Sequence, residues 1–175
     1  GLCQAANLPL IAVNHVEGHI CANYITSPTL EPPYICLLTS GGHTSIVRVE
    51  DYDRYVVLCS TVDDAVGEAF DKVAKMLDIG YPGGPNLEKR AKEGNPDAYQ
   101  FPVPMRGRVG CDFSFSGLKT AVRVAIEKNA PLSEQNKSDM CAAFQNAVVK
   151  QMENRLKNAI AVFKERYPNA HDLVV

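Results

Sequence analysis

Four short segments carry residue types whose spacing could do chemistry. In Asn14-His-Val-Glu-Gly-His19 the two histidines stand four apart. On a helix both rings would leave the same face and could reach one metal ion. Glu17 lies two residues from each and points to roughly the opposite face, out of place for the base of an H-E-x-x-H metalloprotease. Asn14 with Glu17 three residues on reads instead as a capping box. Two histidines make an incomplete site, and such a pair is also an ordinary helix surface; spacing leaves both readings open. The second segment, Ser40-Gly41-Gly42-His43-Thr44, would form a hairpin tip without side chains. Backbone N–H groups there could approach an anion, or the glycines could simply satisfy a tight turn.

The third segment runs from Asp63-Asp64 through Gly67 and Glu68 to Asp71-Lys72. Asp64, Glu68, Asp71 and Lys75 form a polar stripe that could hold ribose hydroxyls or merely face water. A glycine in mid-helix costs about 1 kcal/mol relative to alanine, so Gly67 implies that something approaches closely there. The fourth is Tyr81-Pro82-Gly83-Gly84-Pro85, with Asp112-Phe-Ser-Phe-Ser-Gly-Leu-Lys119 further on. A glycine-rich loop before a helix N-terminus is an anion site by mechanism, and also a common helix connection.

These segments need elements to position them. Leu8–Val13 is apolar and reads as a buried strand, followed by a helix from His15 to about Tyr24. After a proline-rich loop, Tyr34–Thr39 and Thr44–Val49 form a hairpin, and Tyr55–Ser60 adds a third strand. From Val62 to Leu77 the period becomes 3.6, with Asp63 and Asp64 in the first helical turn, where the dipole favours them. Pro85 opens another helix through about Glu93. Ser116 opens the next, with Leu118, Ala121, Val122, Ala125 and Ile126 inward, and Phe113 and Phe115 alternate with serines as in a short strand. Met140 to Phe163 marks a helix of about 28 residues, about 40 Å long. Asp172–Val175 has the pattern of a buried strand beginning. The order is α/β, without repeats.

The chain has 175 residues, 46% apolar and 22% charged, the range of a folded globular domain rather than a disordered one. No apolar run approaches the roughly 18 residues of a membrane span. The six cysteines are scattered without a C-x-x-C pair, which favours buried thiols in a reducing cytosol over disulfides or a zinc knuckle. Residues 1–71 carry two basic and nine acidic groups, net −7; residues 72–175 carry sixteen and eleven, net +5, giving the −2 of the chain. Opposite halves suggest different partners. The opening without Met and the final apolar residues lead us to expect an internal fragment of a longer protein.

Taken in order, Asn14–His19, Ser40–Thr44, Asp63–Lys72, Tyr81–Pro85 and Phe113-Ser-Phe-Ser-Gly-Leu-Lys-Thr120 closely resemble the TsaD family, the tRNA N6-adenosine threonylcarbamoyltransferases once called glycoprotease or O-sialoglycoprotein endopeptidase. The resemblance implies an actin-like ATPase fold of two lobes, sugar kinase- and Hsp70-like. Residues 1–30 would be the end of the first lobe with its metal-binding helix. Residues 31–175 would be most of the second, ribonuclease-H-like lobe. It also implies transfer of threonylcarbamoyl from threonylcarbamoyl-adenylate to N6 of the adenosine next to the anticodon, in tRNAs that read ANN codons.

By the same resemblance His15 and His19 bind one divalent metal ion per subunit, usually iron and sometimes zinc. Leu38, Thr39, Ser40, Gly41 and Gly42 contact the nucleotide ligand (threonylcarbamoyl-adenylate, or ATP/AMP), as do Asp71, Gly84 and, in some members, Glu88. An Asp metal ligand and a further substrate loop would lie beyond Val175. The implied setting is cytoplasmic, with tRNA, a paralogous dimer partner and a small ATPase as partners, and no membrane. Within the basic half, Arg106, Arg108, Lys119, Arg123 and Lys128 are candidates to face tRNA. A metal-dependent endopeptidase and a non-catalytic nucleotide-binding scaffold are the rival readings.

Overall fold

The computed structural model describes residues 1–170 and the backbone of Leu173 and Val174; the flanking residues of the expected terminal strand lie outside the described residues. The chain divides into two units, Gly1–Glu31 and Pro32–Val175.

The first unit holds α1 (Leu2–Ala5) and α2 (His15–Thr26). Asn14 caps α2 as its sequence suggests: Oδ1 accepts from the backbone N–H of Val16 at 2.9 Å and of Glu17 at 3.3 Å. The expected strand over Leu8–Val13 is not formed; Leu10, Ile11 and Val13 are 76–86% exposed. An apolar run becomes a strand only where a neighbour takes up its N–H and C=O groups, and none of the described strands pairs with it.

The second unit is built on a four-stranded sheet of order β3-β2-β1-β4. β1 (Tyr34–Thr39) and β2 (Thr44–Asp51) form the expected hairpin, in register from Tyr34 opposite Val49 to Thr39 opposite Thr44. β3 (Arg54–Ser60) extends it antiparallel, and β4 (Leu173–Val174) lies parallel to β1. β1 buries four successive residues, Tyr34 to Leu37, as a central strand covered on both faces must.

Four helices complete the unit: α3 (Val66–Met76), α4 (Gly83–Ala91), α5 (Ser116–Asn129) and α6 (Glu134–Arg166). α6 has 33 residues and is about 50 Å long. It outruns the apolar stripe because Ser133 and Asn136 close a capping box ahead of it: Ser133 Oγ accepts from Asn136 N–H at 3.1 Å, and Asn136 Oδ1 from Ser133 N–H at 3.2 Å. α3 begins four residues later than Val62, which stands 64% exposed. One core cluster joins the strand residues Ile35, Leu37 and Ile46 to Val73, Leu87, Leu118, Phe144 and Phe163 of the helices. The fold is mixed α/β.

Of the cysteines, Cys36, Cys59, Cys111 and Cys141 are buried as expected, whereas Cys3 is half-buried and Cys21 exposed. Burial raises the Cys36 and Cys141 thiols to about 11.

The connection after α4 touches α6 at Gly94, where an added Cβ would lie 2.0 Å from Ser138 O and 2.4 Å from its carbonyl carbon. Helix backbone cannot yield to such a contact. Gly94→Ala should therefore lower stability by about 1–3 kcal/mol. Gly117→Ala, whose Cβ meets open space, should be neutral or slightly stabilising. Thermal melting of the two variants beside the parent checks this.

Candidate functional site: a glycine turn seated on α3, and its surroundings

The turn between β1 and β2 is held from inside and from below. Inside it, Ser40 Oγ accepts from the N–H groups of His43 at 2.9 Å and Gly42 at 3.3 Å, while Ser40 N–H donates to His43 O at 2.8 Å. Below it stands the start of α3. Val66 N–H donates to Thr44 Oγ1 at 2.8 Å, and Gly67 N–H to Ser40 O at 3.2 Å, so two donors left orphaned at the helix start are met by the hairpin. A Cβ on Gly67 would lie 2.8 Å from both Gly41 Cα and Ser40 O. The close approach that this glycine implied is real, and what approaches is the chain's own turn. Gly41 and Gly42 behave differently. Neither has positive φ and an added Cβ at either would meet nothing within 4 Å, so neither turn geometry nor packing requires glycine there. Leu38 and Thr39, at the end of β1, are half-buried and exposed.

Asp71, on α3, fixes the start of α4. Its Oδ1 accepts from Gly83 N–H at 2.9 Å, and a Cβ on Gly83 would lie 2.5 Å from Asp71 Cα and 2.7 Å from Oδ1. α4 thus begins two residues before Pro85, with Gly83 and Gly84 as its first residues. Gly84, like Gly41, has open space where a Cβ would be. Beside Asp71 opens a cleft of about 400 Å³, lined by Glu68, Lys72, Lys75, Asp78, Gly80 and the 85% exposed Tyr81. Glu88 lies one helical turn along α4 and pairs with Lys92 at 3.0 Å.

Asp63 and Asp64 do not sit in the first turn of α3; they precede it and serve other partners. Asp63 closes the start of α5. Its Oδ1 accepts from Phe115 N–H at 2.7 Å and Ser116 N–H at 3.3 Å, and its Oδ2 from the hydroxyls of Ser114 at 2.6 Å and Ser116 at 2.8 Å. Burial pushes this carboxyl up, but the four hydrogen bonds outweigh it, and the group rests below its ordinary value. Asp64 pairs with Lys119 and, at 3.0 Å, with Lys72. The phenylalanine–serine segment is therefore a packing and capping element. Phe113 bridges to Thr61, Phe113 and Phe115 are fully buried with rings stacked 6.4 Å apart, and the serines tie back to Asp63. Sequence periodicity missed this because Asp63 and Ser116 are 53 residues apart.

In the first unit, the Nε2 atoms of His15 and His19 are 3.1 Å apart, with rings at 72°. Two ring nitrogens each about 2.1 Å from one ion, at about 90–109°, would be about 3.0–3.4 Å apart. That spacing suits two ligands of one metal and equally a hydrogen bond between the two rings. Among the described residues no group of three or more His, Cys, Asp or Glu side chains converges on a metal position. Two of the basic candidates are engaged by carboxylates: Lys119 by Asp64, and Arg123 by Glu127 at 3.8 Å.

Because folding lowers the Asp63 carboxyl, its contribution is complete above the ordinary carboxylate range, near pH 4, and is lost as pH falls through the depressed value. Asp63→Ala should lower stability by about 1–2 kcal/mol at neutral pH. The gap to the parent should shrink at acidic pH. Denaturant melts at several pH values read both effects.

With this geometry in hand, comparison with known proteins is informative. The family model for TsaD, tRNA N6-adenosine threonylcarbamoyltransferase, matches residues 1–175. A protein of that name from Chelativorans sp. (strain BNC1) is 51% identical over 167 residues, 95% of this chain and 46% of its own length. One from Methylocapsa acidiphila is 51% identical over 174 residues, 99% of this chain and 49% of its own. One from Clostridium perfringens (strain SM101 / Type A) is 50% identical over 167 residues, 95% and 48%. The chain spans about half the length of the curated relatives it matches. With its whole span matched, and Gly67, Asp71 and Gly83 seen to hold two glycine-bearing segments in place, the chain belongs to the TsaD family.

Proposed function

We propose that this chain supplies the adenylate-binding turn and the histidine pair of a cytoplasmic tRNA N6-adenosine threonylcarbamoyltransferase. The observation that carries the reading is the placement of glycines that the fold does not need. Gly41, Gly42 and Gly84 have neither positive φ nor a neighbour where a Cβ would sit; Gly18 and Gly117 share that, but these three stand on the two segments that α3 holds in place through Gly67 and Asp71, and glycine at the start of a helix or in a hairpin gives up backbone entropy. A ligand lying against bare backbone accounts for all three. In this reading the 38–42 segment receives the adenylate phosphate, and Asp71, with one oxygen engaged by Gly83, offers the other to the nucleoside. Glu88, one turn beyond Gly84 on α4, adds a contact, as in some members of the family. The larger architecture is the two-lobed actin-like ATPase fold, residues 1–30 belonging to the end of one lobe and 31–175 to the other.

Bound by His15, His19 and a carboxylate from elsewhere in the parent protein, a divalent ion, iron or zinc, would supply Lewis-acid polarisation of the threonylcarbamoyl group. The chain's own residues bind and orient. The adenosine N6 of tRNA forms a bond to the carbamoyl carbon and loses a proton, and the carbon–oxygen bond to AMP breaks. No side-chain nucleophile enters; burial keeps the Cys36 and Cys141 thiols protonated near neutral pH. A paralogous dimer partner and a small ATPase would assist the parent protein.

The test is transfer of labelled threonine from threonylcarbamoyl-adenylate to unmodified tRNA by the full-length parent with its partner proteins, beside His15→Ala and His19→Ala. Transfer should fall about a hundredfold or more in both variants, together with their metal content. Adenylate binding without transfer by the parent would instead indicate a nucleotide-binding scaffold. Metal-dependent digestion of casein would indicate the endopeptidase.

A further inference from the structure

A buried cation without a carboxylate partner among the described residues lies along α6. Arg155 is 1% exposed, and among the described residues no carboxylate lies within 4.0 Å of its guanidinium. Its Nη1 donates to the carbonyls of Arg108 and Gly110, each at 3.1 Å, and its Nε to Asn154 Oδ1 at 3.1 Å. Asn158 Nδ2 donates to the same Gly110 carbonyl at 2.7 Å. A guanidinium stays charged in any protein, and a buried cation is normally paired with an anion. Here the backbone of the 103–110 loop and Asn154 satisfy its N–H groups, with no carboxylate within 4.0 Å among the described residues.

That loop and α6 enclose a cleft of about 380 Å³ lined by Val103, Arg106, Lys150, Glu153, Asn154 and Lys157. Its three cations face one carboxylate, which Lys157 already pairs, while Arg106 and Lys150 have no carboxylate within 4.0 Å among the described residues. Arg155 adds a further positive charge beneath the loop, and clefts lined by one sign concentrate the field. The loop turns through φ +61° at Met105 and +77° at Gly107 on either side of Arg106, closed by Arg108 N–H donating to Met105 O at 3.1 Å and tied to α6 by Arg155. Arg106 is thus presented from a held loop.

We propose that this cleft is a docking site for the phosphate backbone of RNA, with Arg106 and Lys150 as phosphate ligands. The choice of RNA among polyanions rests on the transferase reading above. The surface differs from the one the sequence suggested: Lys119 and Arg123 drop out because carboxylates engage them, and Lys150 joins Arg106.

The experiment measures binding of unmodified tRNA to the full-length parent by fluorescence anisotropy from about 50 to 200 mM salt. The double variant Arg106→Glu/Lys150→Glu should bind about tenfold or more weakly. The slope of log affinity against log salt should be shallower by about 2, one for each phosphate no longer neutralised, with the melting temperature retained. Arg123→Glu, a single reversal outside the cleft, should leave that slope unchanged. Equal affinity and slope in the double variant would overturn the cleft, as would an equal loss per reversed charge at Arg123. So would a loss confined to binding an acidic protein partner. No tRNA binding by the parent itself would overturn the transferase reading and this one together, a result distinct from a parent that binds and a double variant that binds equally well.

Discussion

The seating of the 39–42 turn on the first residues of α3 is the contact on which the rest of the site depends. Only glycine at position 67 lets Ser40 O and Gly41 Cα come within 2.8 Å of where a side chain would begin. Once they do, the hairpin and the helix satisfy each other, through Thr44 Oγ1 to Val66 N–H and Ser40 O to Gly67 N–H. α3 in turn carries Asp71, which sets the first residue of α4 and hence Gly84. Two bare-backbone segments, far apart in sequence, are fixed by one helix.

The same economy explains the phenylalanine–serine segment. Its chemistry-bearing residues look like a site in the sequence, but the serines are used by Asp63 and the rings by the core. Hydroxyls and carboxylates that fully satisfy each other have little left to offer a ligand. By contrast Lys150 looks unremarkable in the sequence; it and Arg106, already a candidate there, gain significance because among the described residues no carboxylate lies within 4.0 Å of either.

What was legible in the sequence follows the range of the interaction. The hairpin, the third strand and five of the helices were readable because period and caps are local; Asn14 before α2 is an example. Gly67 was readable as a close approach, though not which part of the chain makes it. Leu8–Val13 was misread because an apolar run forms a strand only when a partner strand takes up its backbone groups. Asp63 was misplaced because a helix dipole and a distant capping network both favour a carboxylate near a helix start, and only the tertiary structure decides between them. The burial of Arg155 was not legible from its i±4 neighbours, since one of them, Gln151, is polar and its burial is known only from the structure.

The most direct test of the central claim is adenylate affinity in Gly41→Ala. The added methyl meets no protein atom within 4 Å, so the fold should keep its melting temperature. If the turn is bare because a ligand lies against it, the full-length parent carrying this change should bind threonylcarbamoyl-adenylate or AMP about tenfold or more weakly, about 1.4 kcal/mol. Undiminished binding in a folded variant would contradict the account, because the open glycine would then serve neither the fold nor the ligand.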